Sequence, residues 1–82
     1  MTRAEFKEQI RIHLESMGFK KPIITTALFG KRADIVARDK KDKKRFLKAE
    51  VVYKKGKEYI RVFDPNSIDW IDEIEAFDAF MD

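Results

Sequence analysis

Near the start of the chain Phe6, Ile10, Leu14 and Met17 recur at helical spacing, while Arg3, Lys7, Glu8, Arg11 and Glu15 fall off that stripe. Thr2-Arg3-Ala4-Glu5 has the form of a capping box, in which the Thr2 hydroxyl accepts from the Glu5 N–H. Gly18 suits the left-handed position after a last turn, Phe19 is placed to fold back on Leu14, and Pro22 bars continuation. The pattern predicts a helix over 3–17.

Beyond Pro22 the period shortens to two. Residues 23–29 are rich in β-branched side chains and lead into Gly30-Lys31, where glycine at the first central position suits a two-residue type II′ hairpin turn. In 32–38, Ala33, Ile35 and Ala37 share one face and Asp34, Val36 and Arg38 the other. In 45–54, Leu47, Ala49, Val51 and Tyr53 oppose Phe46, Lys48, Glu50, Val52 and Lys54. The polar run 39–44 and Lys55-Gly56-Lys57 read as turns, and 59–63 as a short fourth strand. Asp64-Pro65-Asn66-Ser67 offers N-cap oxygens, after which Trp70, Ile71, Ile74, Phe77 and Met81 predict a second amphipathic helix with acids in its first turn. The expected fold is α+β, in the order α-β-β-β-β-α. An antiparallel meander in a single domain over 1–82 would carry both helices on the Ala33/Ile35/Leu47/Val51 face, leaving the opposite face open.

Composition narrows the function classes. With 44% hydrophobic and 40% charged residues, 82 residues suit one folded domain with a charged surface, too small for a deep cleft with a lid. The chain has no cysteine and one histidine, which removes disulfides, thiolate zinc sites and histidine cages. That histidine, His13, stands beside the helix stripe and reads as a boundary residue, while Trp70 and Phe77 read as packing anchors. The apolar runs are too short for a membrane span or a signal-peptide core, so a cytoplasmic protein is expected.

The net charge of +3 conceals a strong asymmetry: residues 22–57 hold twelve basic and four acidic groups, and 58–82 hold one and eight. Lys31, Arg32, Lys40, Lys41, Lys43, Lys44, Arg45, Lys54, Lys55 and Lys57 fall at hairpin tips, which are expected to gather along one rim and engage phosphates. Phe46, Tyr59 or Phe63 would add stacking to bases. The plainer reading is that charged turns keep a small β protein soluble and discourage edge pairing. A double-stranded-RNA-binding domain also runs helix, strands, helix, but Asp64, Asp69 and Asp72 stand where its last helix begins with basic residues. That assignment is excluded.

Asp34 and Glu50 share the open face on neighbouring strands, and two carboxylates so placed are candidate magnesium ligands. Here the chain resembles the restriction-endonuclease-like, PD-(D/E)XK, nuclease family. The likeness covers about residues 3–52: a helix bearing Glu5 and Glu8, a glycine turn, Arg32-Ala-Asp34-Ile-Val, and Ala49-Glu50-Val-Val52. The resemblance implies metal binding by the aspartate and glutamate, and a lysine two residues after the glutamate to activate water. This chain has Val52 there, so Lys48 or Lys54 would have to substitute, and a hairpin follows the third strand where the family has a helix. Without metal chemistry, Asp34 and Glu50 are cross-strand partners of Arg38, Lys48 or Arg61.

The expectation is therefore a small non-catalytic binding module that contacts nucleic acid through a basic sheet rim and needs no cofactor. One alternative is a minimal nuclease with Mg2+ on Asp34 and Glu50, its cleft completed by a dimer. Another is a protein-interaction or inhibitor module whose acidic helix, with Asp72, Glu73 and Glu75, meets a basic protein surface. No membrane partner is expected.

Overall fold

A computed structural model describes residues 2–27 and 30–66, and the backbone of 70–75. The elements run α1 (Arg3–Ser16), β1 (Lys20–Ala27), β2 (Arg32–Arg38), β3 (Lys44–Lys54), β4 (Lys57–Phe63) and β5 (Trp70–Glu75). The strands form one antiparallel sheet in sequence order. Among the described residues no helix is long and apolar enough to cross a membrane.

Local chemistry sets both ends of α1. The Thr2 hydroxyl accepts from the Glu5 N–H at 3.1 Å, as the capping box requires. At the other end the Phe19 N–H donates to the Leu14 carbonyl at 3.0 Å while Gly18 takes φ +94°, which is a Schellman cap. Arg11 bridges Glu8 and Glu15 on the solvent side. Phe6, Ile10 and Leu14 are fully buried against Ala33, Ile35, Ala37, Leu47, Ala49, Ile60 and Val62. Alanines at three of these sheet positions let the helix axis approach the strands, so the large helix side chains fill the space between them.

The sheet departs from expectation in three places. First, β1 begins at Lys20, three residues ahead of the predicted start. The strand tolerates Pro22 because β1 lies at the sheet edge and its register shifts between Lys20 and Ile23. Second, the hairpin before β2 is not a two-residue turn. Pairing closes at Ala27↔Arg32, and the Lys31 N–H reaches the Ala27 carbonyl at 3.3 Å across a four-residue connection. Gly30 does take positive φ, +81°, and an added Cβ would stand 3.1 Å from the Arg3 Cα. Glycine thus serves both the turn and the close passage beneath the start of α1. The Lys55-Gly56 turn follows the simpler rule, with both residues at positive φ in a type I′ hairpin closed by Lys54↔Lys57.

Third, the helix predicted from Trp70 is a strand through Glu75, hydrogen-bonded to the outer edge of β4. Trp70, Ile71 and Ile74 are compatible with either period, and an unpaired β4 edge decides between them. In the strand register Ile74 stands opposite Ile60 and Glu73 opposite Arg61. Asp64, expected to cap that helix, instead accepts from the Asn66 N–H at 2.8 Å in an Asx turn. The predicted helical positions Phe77 and Met81 lie outside the described residues.

Candidate functional site: the open face of the sheet

With α1 on one side, no described element covers the other face of the meander, and its residues follow from the register. Moving toward the end where β2 turns into β3, one cross-strand row reads Ala27, Arg32, Glu50, Arg61 and the next Thr25, Asp34, Lys48, Phe63. Then come Ile23, Val36, Phe46 and, outermost, Lys20, Arg38, Lys44. Ile23 is 67% exposed and Phe46 57%. An apolar row in water therefore lies directly beside a row of three cations.

The basic hairpin tips do not gather along one rim. Successive turns of a meander emerge at alternate ends, so Lys31, Arg32, Lys54, Lys55 and Lys57 lie at one end and Lys40, Lys41, Lys43, Lys44 and Arg45 at the other. Ten residue steps along β3 separate Lys44 from Lys54, about 33 Å at strand rise. The ten cations cannot act as a single patch on one short ligand.

Their roles also differ. Arg45 lies on the helix side and is held by Asp64 at 3.0 Å and Asp39 at 3.7 Å. The Lys40 side chain runs where a Cβ on Gly18 would project, beside the C-terminus of α1, where a cation is favoured by the helix dipole. Lys44 faces the open side with its Nζ 5.5 Å from the Phe46 ring centre. At the far end Lys54 stands 5.9 Å from the Tyr59 ring centre. Sequence reasoning omitted Lys20 and Arg38 from the phosphate-binding set. Lys20 joins only because β1 starts before Pro22, whereas Arg38 was already on the open face by parity.

The 39–43 turn that carries this end is built by its own acid. Asp39 accepts from the N–H groups of Lys43 and Lys41 at 3.0 and 2.9 Å, and Arg38 Nη1 donates to the Asp42 carbonyl at 2.9 Å. The Lys43 N–H first, then Lys41 and the charge on Arg45, hold the Asp39 carboxyl below its ordinary pKa. The Asn66 N–H and then the Arg45 side chain do the same for Asp64. A depressed folded-state pKa gives stability that is present above the ordinary carboxylate value and lost as the pH falls through the lower one. Urea midpoints are accordingly expected to drop as the pH is taken below about 4. Asp64→Asn should flatten that acid limb, and an unchanged slope would show that these carboxylates titrate alike in the folded and unfolded chain.

Asp34 and Glu50 lie on the open face at diagonal positions, and both line a shallow concavity of about 420 Å3 together with Lys48 and Phe63. Asp34 is exposed and paired with Lys48, whose Nζ is 3.3 Å from Oδ1. Glu50 stands in register between Arg32 and Arg61. Of the two lysines considered as substitutes for the motif lysine, Lys48 is thus beside a carboxylate and Lys54 is at the sheet's far end. Among the described residues no group of three or more His, Asp or Glu converges as a metal cage. The donors are two carboxylates, enough only for a magnesium ion completed by water and phosphate oxygens.

The acidic residues Asp72, Glu73 and Glu75 belong to β5, so they do not present the helical acidic face expected for a protein-binding module. Comparison with protein-family models, with curated proteins and with solved structures finds no match, and the chemistry of this face stands on its own residues.

Proposed function

We propose that the chain is a small, non-catalytic nucleic-acid-binding module that takes phosphates on the open sheet face, at the end formed by β1, β2 and β3. The observation that carries this reading is the row Lys20↔Arg38↔Lys44. Like charges directly opposite one another on neighbouring strands are destabilising, and among the described residues none of the three has a carboxylate partner. An arrangement that the fold would be better without is accounted for by an external anion. Repeated phosphates, spaced along a backbone, satisfy several cations at once and release counterions on binding. Titration of labelled single-stranded and duplex DNA at increasing salt is the test: log K should fall linearly with log salt, and absence of retention of both forms at low salt would end the proposal.

A second reading, a minimal magnesium-dependent nuclease, is supported by one observation, the shared concavity of Asp34, Glu50 and Lys48. In that case Asp34 and Glu50 would hold the metal, which would polarise a phosphate and activate water. Incubation of plasmid with Mg2+ or Mn2+ decides it. Cleavage lost in both Asp34→Ala and Glu50→Ala supports the nuclease, and cleavage at an equal rate in the variants assigns the activity to a contaminant.

A further inference from the structure

We infer that the preferred ligand of this face is a single strand of nucleic acid, with a base stacked on Phe46 while its phosphates lie along Lys20, Arg38 and Lys44. This rests on the phosphate-binding reading above and adds to it the kind of strand that is bound. The starting point is the row Ile23↔Val36↔Phe46, exposed at both ends and half-buried at Val36. Phe46 sits on a central strand of the sheet, yet its side chain remains 57% exposed. A large apolar surface flanked by cations marks a place where something amphipathic docks. Lys44 already lies over the Phe46 ring, so charge and ring act at one point.

On β1 the register shift sets Lys20 three residues from Ile23, and on β2 and β3 the two rows are two residues apart, about 6.6 Å. That separation is comparable with the reach from a phosphate to the base it carries. Phe63 lies diagonally from Phe46 on β4, on the same face but half-buried, so Phe46 is the ring presented to the ligand. Duplex DNA would satisfy only the cations, because its base faces are stacked inside and its outer surface is sugar and phosphate. A single strand presents both chemistries, and base–aromatic stacking tolerates any sequence because every base has a π-face. A second copy of the chain is a poorer occupant. In a two-fold contact with its axis along the strands, the cationic row would face its own mate.

The experiment compares a fluorescein-labelled oligothymidylate with the same strand annealed to its complement, using the full chain and fluorescence anisotropy. The single strand should bind more tightly than the duplex. Phe46→Ala should weaken single-strand binding by about five- to a hundredfold and leave duplex binding within about twofold. Phe46→Trp should restore it. Because Phe46 is largely exposed, the alanine variant should keep its circular dichroism and urea midpoint. Equal affinity for the two forms, or equal loss from both in Phe46→Ala, overturns the inference while leaving phosphate binding intact. Failure of both forms to bind removes the phosphate reading itself. A sedimenting dimer that dissociates in Phe46→Ala, with no oligothymidylate binding, assigns the apolar row to a second copy and also overturns the inference.

Discussion

Replacing Lys20, Arg38 and Lys44 together by glutamine is expected to lower nucleic-acid affinity on the order of a hundredfold at low salt, and to reduce the slope of log K against log salt by about three. The slope counts phosphate contacts, and each lysine or arginine removed takes about one counterion with it. The same triple substitution should change stability little, because the exposed hydrogen bond lost from Arg38 Nη1 to the Asp42 carbonyl is offset by relief of repulsion. It removes two like-charge cross-strand oppositions, Lys20↔Arg38 and Arg38↔Lys44, each of the sort that works against a sheet. Affinity and stability should therefore move independently, with urea midpoints nearly unchanged. Glutamine at Lys54, Lys55 and Lys57 is the matched control: equal in charge removed, but about 33 Å away along β3. A smaller loss of affinity is expected there. Equal losses at the two ends would mean that net charge, rather than this row, drives association.

Phe6→Ala is expected to produce the largest loss of stability, about 3–5 kcal/mol. Phe6 is wholly buried, and with Ile10 and Leu14 it forms the side of the core that α1 contributes. A domain of 82 residues has roughly 4–12 kcal/mol in hand at typical stability per residue, so this one truncation removes about a quarter or more of it. Urea unfolding followed by circular dichroism measures the change. Ile12→Ala, on the same helix but 47% exposed, should fall within about 0.5 kcal/mol of the parent. A cost below about 1 kcal/mol at Phe6 would contradict the docking of α1 on the sheet.

Much of this architecture is written in short-range patterns. The Thr2 hydroxyl cap, the Gly18-Phe19 helix end and the alternation through Ala33, Ile35, Leu47 and Ala49 each depend on neighbours within a turn or a strand, and each is found in place. Fold features governed by distant partners were not legible. Trp70, Ile71 and Ile74 satisfy two periods, and the edge of β4, which selects the strand, is set by the whole sheet. Pro22 reads locally as a break, although at a sheet edge it is admitted within a strand.

For the candidate site the position is similar. Parity alone puts Asp34, Glu50 and Lys48 on one face, and it also places Arg45 with Leu47 on the helix side, so its withdrawal from the phosphate set was readable. Alternation of the hairpin ends was readable too, since each turn of a meander reverses the chain. The row of Lys20 with Arg38 and Lys44 was not, because it depends on the shifted register of β1. What the row has in common with the exposed Phe46 emerges only when three strands are aligned.

Amide chemical shifts recorded during titration of the isotopically labelled protein with a short oligonucleotide test the phosphate-site proposal most directly, because they locate the contact on the sheet. The shifts should concentrate at Lys20, Arg38, Lys44 and Phe46 and leave Lys54 to Lys57 and the exposed side of α1 nearly unmoved. Perturbations centred on the opposite end of the sheet, or spread evenly over every basic residue, would contradict it.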